Sequence, residues 1–390
     1  MRYEDFENTD SELKVSSKKK KRKKAADHNG LTAFLTLIIG LLLGALIMLL
    51  VVYYSGPYSK VLRQVDKVIS VDDKELNNDI VSVEKAESIA EESSTDENMA
   101  EKIDTFDEGQ PADAAFSEND GLSILKEALL NGENTSKALR KAFKNELLCA
   151  RDGKYHFVDI DPSIKKNDYV IENLQINDNG RYEYYFADGT KARTGVDVSK
   201  YQGEIDWEMV ASDGIDFAIV RAGIRGYESG KLVMDEDFAQ NITSAITAGL
   251  DVGVYFFSQA ITEEEAVEEA DAIIEMLDGN GLDYPMVYDL EYIRNGRRSA
   301  LSVEESTQIA KAFCERVAEF GYSPMIYGNL DTFLLQLDLK QVEDIEKWFA
   351  YYDTDFYFPY EYRFWQYTDS GMVSGIGEEV DINLDFGRSR

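Results

Sequence analysis

Residues 195–390 predict an α/β domain, an irregular TIM-like β/α barrel of five β/α units followed by three strands. Two features of the pattern lead there. Eight short apolar, β-prone runs recur in order, at residues 195–199, 216–223, 251–258, 285–291, 323–329, 347–352, 362–367 and 379–386. Five segments of helical period fill the earlier gaps: IDWEMVASDG, DEDFAQNITSAITAG, TEEEAVEEADAIIEMLDG, SVEESTQIAKAFCERVAEFG and LDTFLLQLDLKQVEDIE. Several open on Ser, Thr or Asp and close on Gly, as helix capping requires. Alternation of strands and helices implies a parallel sheet, and eight strands can close one into a barrel. The last two gaps hold roughly ten residues each, too few for a crossover helix packed outside the sheet, so the final three strands are expected to be irregular.

The chain ahead of this domain divides by composition. Residues 1–30 form a basic tail of net charge +3, with an unbroken basic run from Lys18 to Lys24. Residues 31–54, LTAFLTLIIGLLLGALIMLLVVYY, carry no charge over 24 positions, enough for a helix to cross the ~30 Å hydrocarbon core of a bilayer. A cleaved secretory signal has an apolar stretch of roughly 7 to 15 residues and a small-residue cleavage site, and neither is evident here. The fifteen residues beyond the span hold only Lys60, Arg63 and Lys67, so the positive side is N-terminal and the bulk of the chain is expected outside the cytoplasm. Tyr53, Tyr54 and Tyr58 sit where an interfacial aromatic belt belongs. Membrane lipids are thus expected partners of residues 31–54.

Residues 55–120 read as an acidic flexible stalk, because segments such as EESSTDENMAEKIDTFDEGQ bury too little apolar surface to offset ordering entropy. Val61, Val65 and Val68 have the spacing of a short helix near the membrane. Residues 121–194 are expected to form a small adaptor that packs on the following domain. Two short helices, split by NGEN, cover Gly121 to Leu148. A β-rich stretch follows, in which NDNG marks a hairpin with a type I′ turn.

Composition excludes several function classes. The formal net charge is −33, which makes nucleic acid a poor partner. The only histidines are His28 and His156 and the only cysteines Cys149 and Cys314. A Ser-His-Asp triad, a Cys-His dyad, a His-ligated metal or a zinc knuckle is therefore ruled out in the C-terminal half by inventory. No metal or organic cofactor is called for.

What that half does contain is carboxylates at strand ends. In MVYDLE, Asp289 and Glu291 share a strand face, with Cα atoms ~6.6 Å apart at ~3.3 Å rise per residue. The C-terminal end of a barrel strand lies at the mouth, where such folds do their chemistry. Neighbouring carboxylates push one pKa upward, so one can serve as an acid while the other stays ionised. Asp197 lies in the first strand and Asp381 in the last, so closing the barrel could bring all four to one mouth. Singly, each acid reads equally well as a turn cap or a solvated loop carboxylate; their convergence is what makes a site. Tyr201, Trp207, Tyr255, Tyr327, Trp348, Tyr351, Trp365 and Tyr367 lie around them. Aromatic faces stack on sugar rings, although most of these are expected in the core, and Trp207 opens an amphipathic helix.

GVDVSKYQGEIDW, YPMVYDLE, MIYGN, WFAYY and FWQYTDSGMVSGIGEEVDIN occur in that order from Gly195 to Phe386. Together they resemble glycoside hydrolase family 25, the bacterial and phage-type muramidases or lysozymes. The resemblance implies that Glu291 is the general acid and that Asp289 stabilises the charge developing at the sugar, directly or by orienting the substrate's acetamido group. Asp197 and Asp381 match the two remaining family acids. Tyr201, Tyr255, Tyr327, Trp348, Tyr351, Trp365 and Gln366 are the expected substrate contacts. The implied substrate is the β-1,4 bond between N-acetylmuramic acid and N-acetylglucosamine in peptidoglycan, cut in cell-wall remodelling. Leu290 stands in the D-x-E pair where the family usually has Trp or another apolar residue; by strand parity it faces away from both acids. The competing expectation is a catalytically silent glycan-binding or scaffold module on the same barrel.

Overall fold

The computed structural model describes residues 121–353 and 356–387. The expected tail, membrane span and stalk, with the helix at Val61 to Val68, lie outside the described residues. Among those described, no helix is long and apolar enough to cross a membrane.

Eight strands close into a barrel. In chain order they are β5 (Arg193–Val198), β6 (Phe217–Arg225), β8 (Asp251–Phe257), β9 (Met286–Asp289), β10 (Pro324–Asn329), β11 (Glu346–Ala350), β12 (Phe364–Gly371) and β13 (Val380–Asp385), and β5 pairs with β6 to complete the ring. Neighbours from β5 to β12 are parallel, whereas β13 runs antiparallel to both β12 and β5. The short β12–β13 gap leaves no room for a crossover, so the chain turns back in a hairpin. A further strand, β7 (Leu232–Met234), folds back on the end of β6.

Four of the five expected helices are present: α3 (Trp207–Ser212), α4 (Phe238–Thr247), α5 (Glu263–Leu277) and α6 (Val303–Glu319). Their ends follow capping chemistry. Thr262 Oγ1 accepts from Glu265 N, and Ser302 and Glu305 form a reciprocal capping box. Asp206 caps α3, and Trp207 is buried with its Nε1 donating to Asn241, the structural place expected for it. The fifth segment, 330–346, departs from expectation: only Thr332–Gln336 coils, as one π-type turn. Its backbone groups are claimed by side chains instead. Thr307 Oγ1 accepts from Asp338 N, and the buried Lys347 ammonium donates to the carbonyls of Val342, Glu343 and Ile345. Burial draws that ammonium down to about 8.

The barrel interior is layered. Phe217, Ile219, Tyr284, Val287, Met325, Trp348 and Phe364 pack as one cluster, with Phe217 stacked on Tyr284 at 4.5 Å between centroids. Gly195 leaves room for the Phe217 ring, since a Cβ there would stand 2.2 Å from it.

The adaptor comprises α1 (Gly121–Leu130), α2 (Thr135–Ala142), the hairpin β1 (Glu146–Arg151) with β2 (Lys154–Asp159), and the hairpin β3 (Leu174–Ile176) with β4 (Tyr182–Tyr184). The second helix stops short of the expected Leu148 because Glu146–Arg151 pairs with β2 across an Asp152–Gly153 turn, both residues at positive φ. That turn has the type I′ signature, whereas at NDNG only Gly180 has positive φ, and Asn177 Oδ1 caps the turn by accepting from Asn179 and Arg181. Adaptor aromatics cover the outer faces of the strands that lack helices: Tyr182 stacks on Trp365 at 5.7 Å, and Tyr169 lies 4.2 Å from Phe386.

Candidate active site

Strand pairing assembles the site. Asp381 on β13 stands opposite Asp197 on β5, and Asn383 on β13 opposite Gln366 on β12. Across the barrel, Asp289 stands at the end of β9 opposite Tyr327 on β10. Glu291 follows two residues later and is half-buried. Leu290 between them is fully buried; its N–H donates to the Tyr327 carbonyl, and its own carbonyl accepts from Thr332 Oγ1.

Asp197 is the most constrained of the acids. It is buried, and its Oδ2 accepts from Asn383 Nδ2 at 2.7 Å and from Gln366 Nε2 at 3.1 Å. Burial pushes its carboxyl above the ordinary range, opposed by those two donors and by a hydrogen bond with Asp381. Each donor is itself fixed. Asn383 Oδ1 accepts from Trp348 Nε1 at 2.8 Å, while Gln366 Oε1 accepts from both the Tyr327 and Tyr352 hydroxyls at 2.9 Å. The network thus runs from Trp348 through Asn383, Asp197 and Gln366 to a tyrosine pair.

That pair registers the other acids. Burial and the negative charges of Glu291, Asp289 and Asp197 hold the Tyr327 hydroxyl far above its usual pKa. Burial and the charges of Asp381, Glu291 and Asp197 do the same to Tyr352. Both hydroxyls thus stay protonated and donate to Gln366, which in turn donates to Asp197. Among the described residues, no group of three or more His, Cys, Asp or Glu is disposed to hold a metal ion.

The aromatic candidates divide. Tyr255 packs edge-on against Trp348 beneath the mouth, and Tyr327 lines it. Tyr201 is 40% exposed at the rim over the Arg221 guanidinium, which pairs with buried Asp235 at 2.8 Å. Trp348 faces inward but is fully buried, so it holds Asn383 rather than presenting a ring to a sugar. Tyr351 and Trp365 are corrected. Both project outward: Tyr351 stacks on Phe349 and accepts from Arg140 of the adaptor, and Trp365 is buried under Tyr182 with its Nε1 donating to the Tyr351 carbonyl. Strand alternation is the reason, since Trp348, Ala350 and Tyr352 share one face of β11 and its extension and Phe349 and Tyr351 the other. Parity counted from Trp348 would have found Tyr352. Asn383, two residues after Asp381 on the same face, was legible by the same count.

Residues 196–376 match the family described as Glycosyl hydrolases family 25. A relative from Escherichia coli strain CFT073, the uncharacterized protein YegX, is 30% identical over 265 residues, covering 63% of this chain and 90% of its own length. The chain belongs to glycosyl hydrolase family 25. Lysozyme M1 of Streptomyces globisporus is 28% identical over 206 residues, 50% of this chain and 68% of that protein. Among solved structures, the modular autolysin LytC of Streptococcus pneumoniae aligns with a TM-score of 0.46 at 22% identity, over 61% of this chain and 57% of LytC. As a family 25 member the chain is a glycoside hydrolase.

The network makes a directional prediction. An N–H donated to a carboxylate favours the ionised form, so Asn383→Ala raises the Asp197 pKa further. It also leaves Trp348 Nε1 unsatisfied, at a cost of about 1–3 kcal/mol. Carboxyl NMR titration should show Asp197 protonating at higher pH than in the native chain, and denaturant unfolding should show the loss of stability.

Proposed function

We propose that this cleft hydrolyses the β-1,4 bond between N-acetylmuramic acid and N-acetylglucosamine in peptidoglycan, as a muramidase that remodels the cell wall. What supports this reading is the strand register that sets Asp381 opposite Asp197, with a hydrogen-bond path from Asp197 through Gln366 to Tyr327, the residue opposite Asp289. Glu291, half-buried beyond the strand end, protonates the leaving glycosidic oxygen. Asp289, at the end of β9, stabilises the oxocarbenium-like charge, facing the anomeric carbon itself or orienting the substrate's acetamido group. Asp197 and Asp381 hold substrate or water on the opposite wall, and their shared proton keeps two adjacent carboxyls from repelling each other. Tyr201, Tyr255 and Tyr327 are the substrate contacts, whereas Gln366, 2% exposed and bonded at both ends of its amide to Asp197 and the two tyrosines, holds the network behind them.

The enzyme acts outside the cytoplasm, tethered through residues 31–54 with residues 1–30 inside. The uncharged 24-residue run and the basic residues ahead of it support this topology. Residues after the tail carry a net −36, a charge that gives no long-range attraction to anionic wall polymers. Tethering at the bilayer surface supplies the proximity instead, which suits work on the cell's own wall.

For the chemistry, the full chain in detergent should release new reducing ends from peptidoglycan, and Glu291→Gln should lower that rate by about 10²-fold or more, the usual contribution of a general acid, with an unchanged melting profile. Binding of glycan without new reducing ends would make the barrel a silent scaffold. For the topology, protease applied to intact cells should remove residues 121–390 and spare residues 1–30; protection of both would refute it.

A further inference from the structure

The turn between β1 and β2 reaches the loop that carries Glu291. Asp152 accepts from the Tyr292 hydroxyl at 2.7 Å and from Arg294 Nε at 2.6 Å. The Arg151 guanidinium lies over the Tyr292 ring, 4.4 Å from its centroid, and pairs through two nitrogens with Asp331, which follows β10. One adaptor turn therefore holds residues from the two loops that leave β9 and β10 beside the mouth. The Asp152–Arg294 pair is exposed and by itself worth little. Tyr292 differs: its ring is covered by Arg151 and its hydroxyl is bound, so its side chain is fixed at both ends.

The position of Tyr292 gives that clamp a consequence. β9 ends at Asp289, so Glu291 lies past the strand ladder; Leu290 fixes the chain before it, and what fixes the residues after it sets the rest of its aim. The peptide joining Glu291 to Tyr292 is planar and stiff, so anchoring the tyrosine restricts the direction in which Glu291 leaves the chain. We propose that Arg151 and Asp152 are positioning residues for the acid: the adaptor hairpin clamps Tyr292 and so sets Glu291 toward the scissile oxygen, which makes residues 121–194 part of the catalytic apparatus rather than a spacer. The inference rests on reading Glu291 as the acid.

The geometry accounts for the hairpin's tight turn. Asp152 has φ of 52° and Gly153 of 71°, the twist of a two-residue turn that projects adjacent side chains from its tip. A displacement of about 1 Å at an acid costs up to 10²-fold in rate, so loss of the clamp is expected to act on kcat more than on substrate binding.

The experiment compares the full chain with Asp152→Ala, Asp152→Asn and Tyr292→Phe, following kcat and KM on peptidoglycan, the unfolding midpoint, and hydrogen exchange of residues 290–296. Asp152→Ala should lower kcat about tenfold with KM unchanged and a midpoint lowered only slightly, since alanine suits a φ of 52° less well than aspartate, and should speed exchange in that segment. Asp152→Asn keeps an acceptor for the tyrosine hydroxyl and should recover most of the rate; Tyr292→Phe should resemble Asp152→Ala. Unchanged exchange and kcat in Asp152→Ala, or a rate loss that follows a large fall in midpoint, overturns the proposal. The exchange readout is independent of activity, so an inactive native chain with faster exchange in Asp152→Ala would refute the acid assignment while leaving the clamp standing.

Discussion

A carboxyl group buried between strands is the constraint on which the rest of this barrel depends. Moving a carboxylate out of water costs several kcal/mol unless hydrogen bonds replace the lost solvation. Asp197 receives them from Asn383 on β13 and Gln366 on β12. Those three strands are consecutive in the closed sheet, so the donors reach Asp197 in one register only; a slip by one residue would turn each side chain to the other face. Barrel closure and site assembly are thus one event, and the antiparallel return of β13 is what places Asp381 beside Asp197.

The second half of the architecture answers a packing problem. Five parallel connections supply helices or a coiled turn to cover the outer sheet face, but the last strands have none. Trp365 and Phe349 are nonetheless almost fully buried. The β11–β12 loop contributes Phe358, stacked on Phe349 at 4.8 Å, and the adaptor contributes Tyr182, Tyr184 and Tyr169. Arg181 ties the same adaptor to Asp213 and to the Met372 carbonyl. With the β1–β2 turn holding Tyr292, the adaptor is bound to the barrel along its side and at its mouth.

Much of this was legible from residue order. Each of the eight strands overlaps one of the apolar runs, because buried strands are written as short β-branched and aromatic stretches between turn residues. Placing strand ends on a closed ring set the first and last strands side by side, and β5 and β13 do pair, with Asp381 opposite Asp197. The errors share one cause, a local signal overridden by a tertiary partner. Residues 143–148 continue a helical period, yet a turn at 144–145 ends it and pairing with β2 draws the chain into a strand from Glu146. Residues 337–346 look helical, yet Lys347 and Thr307 take their backbone groups. Tyr351 and Trp365 have the residue types of a sugar platform but the wrong strand parity, and parity was the unused signal that pointed to Tyr352 and Asn383 instead.

The account stands or falls on where a glycan sits. The most direct measurement is a crystal structure of the Glu291→Gln chain with a tetrasaccharide of alternating N-acetylglucosamine and N-acetylmuramic acid. The scissile oxygen should lie within about 3 Å of the side chain at position 291, with the muramyl ring between Asp289 and the Asp197–Asp381 pair. A saccharide bound away from this cleft, or with its glycosidic oxygen out of reach of position 291, would contradict the assignment.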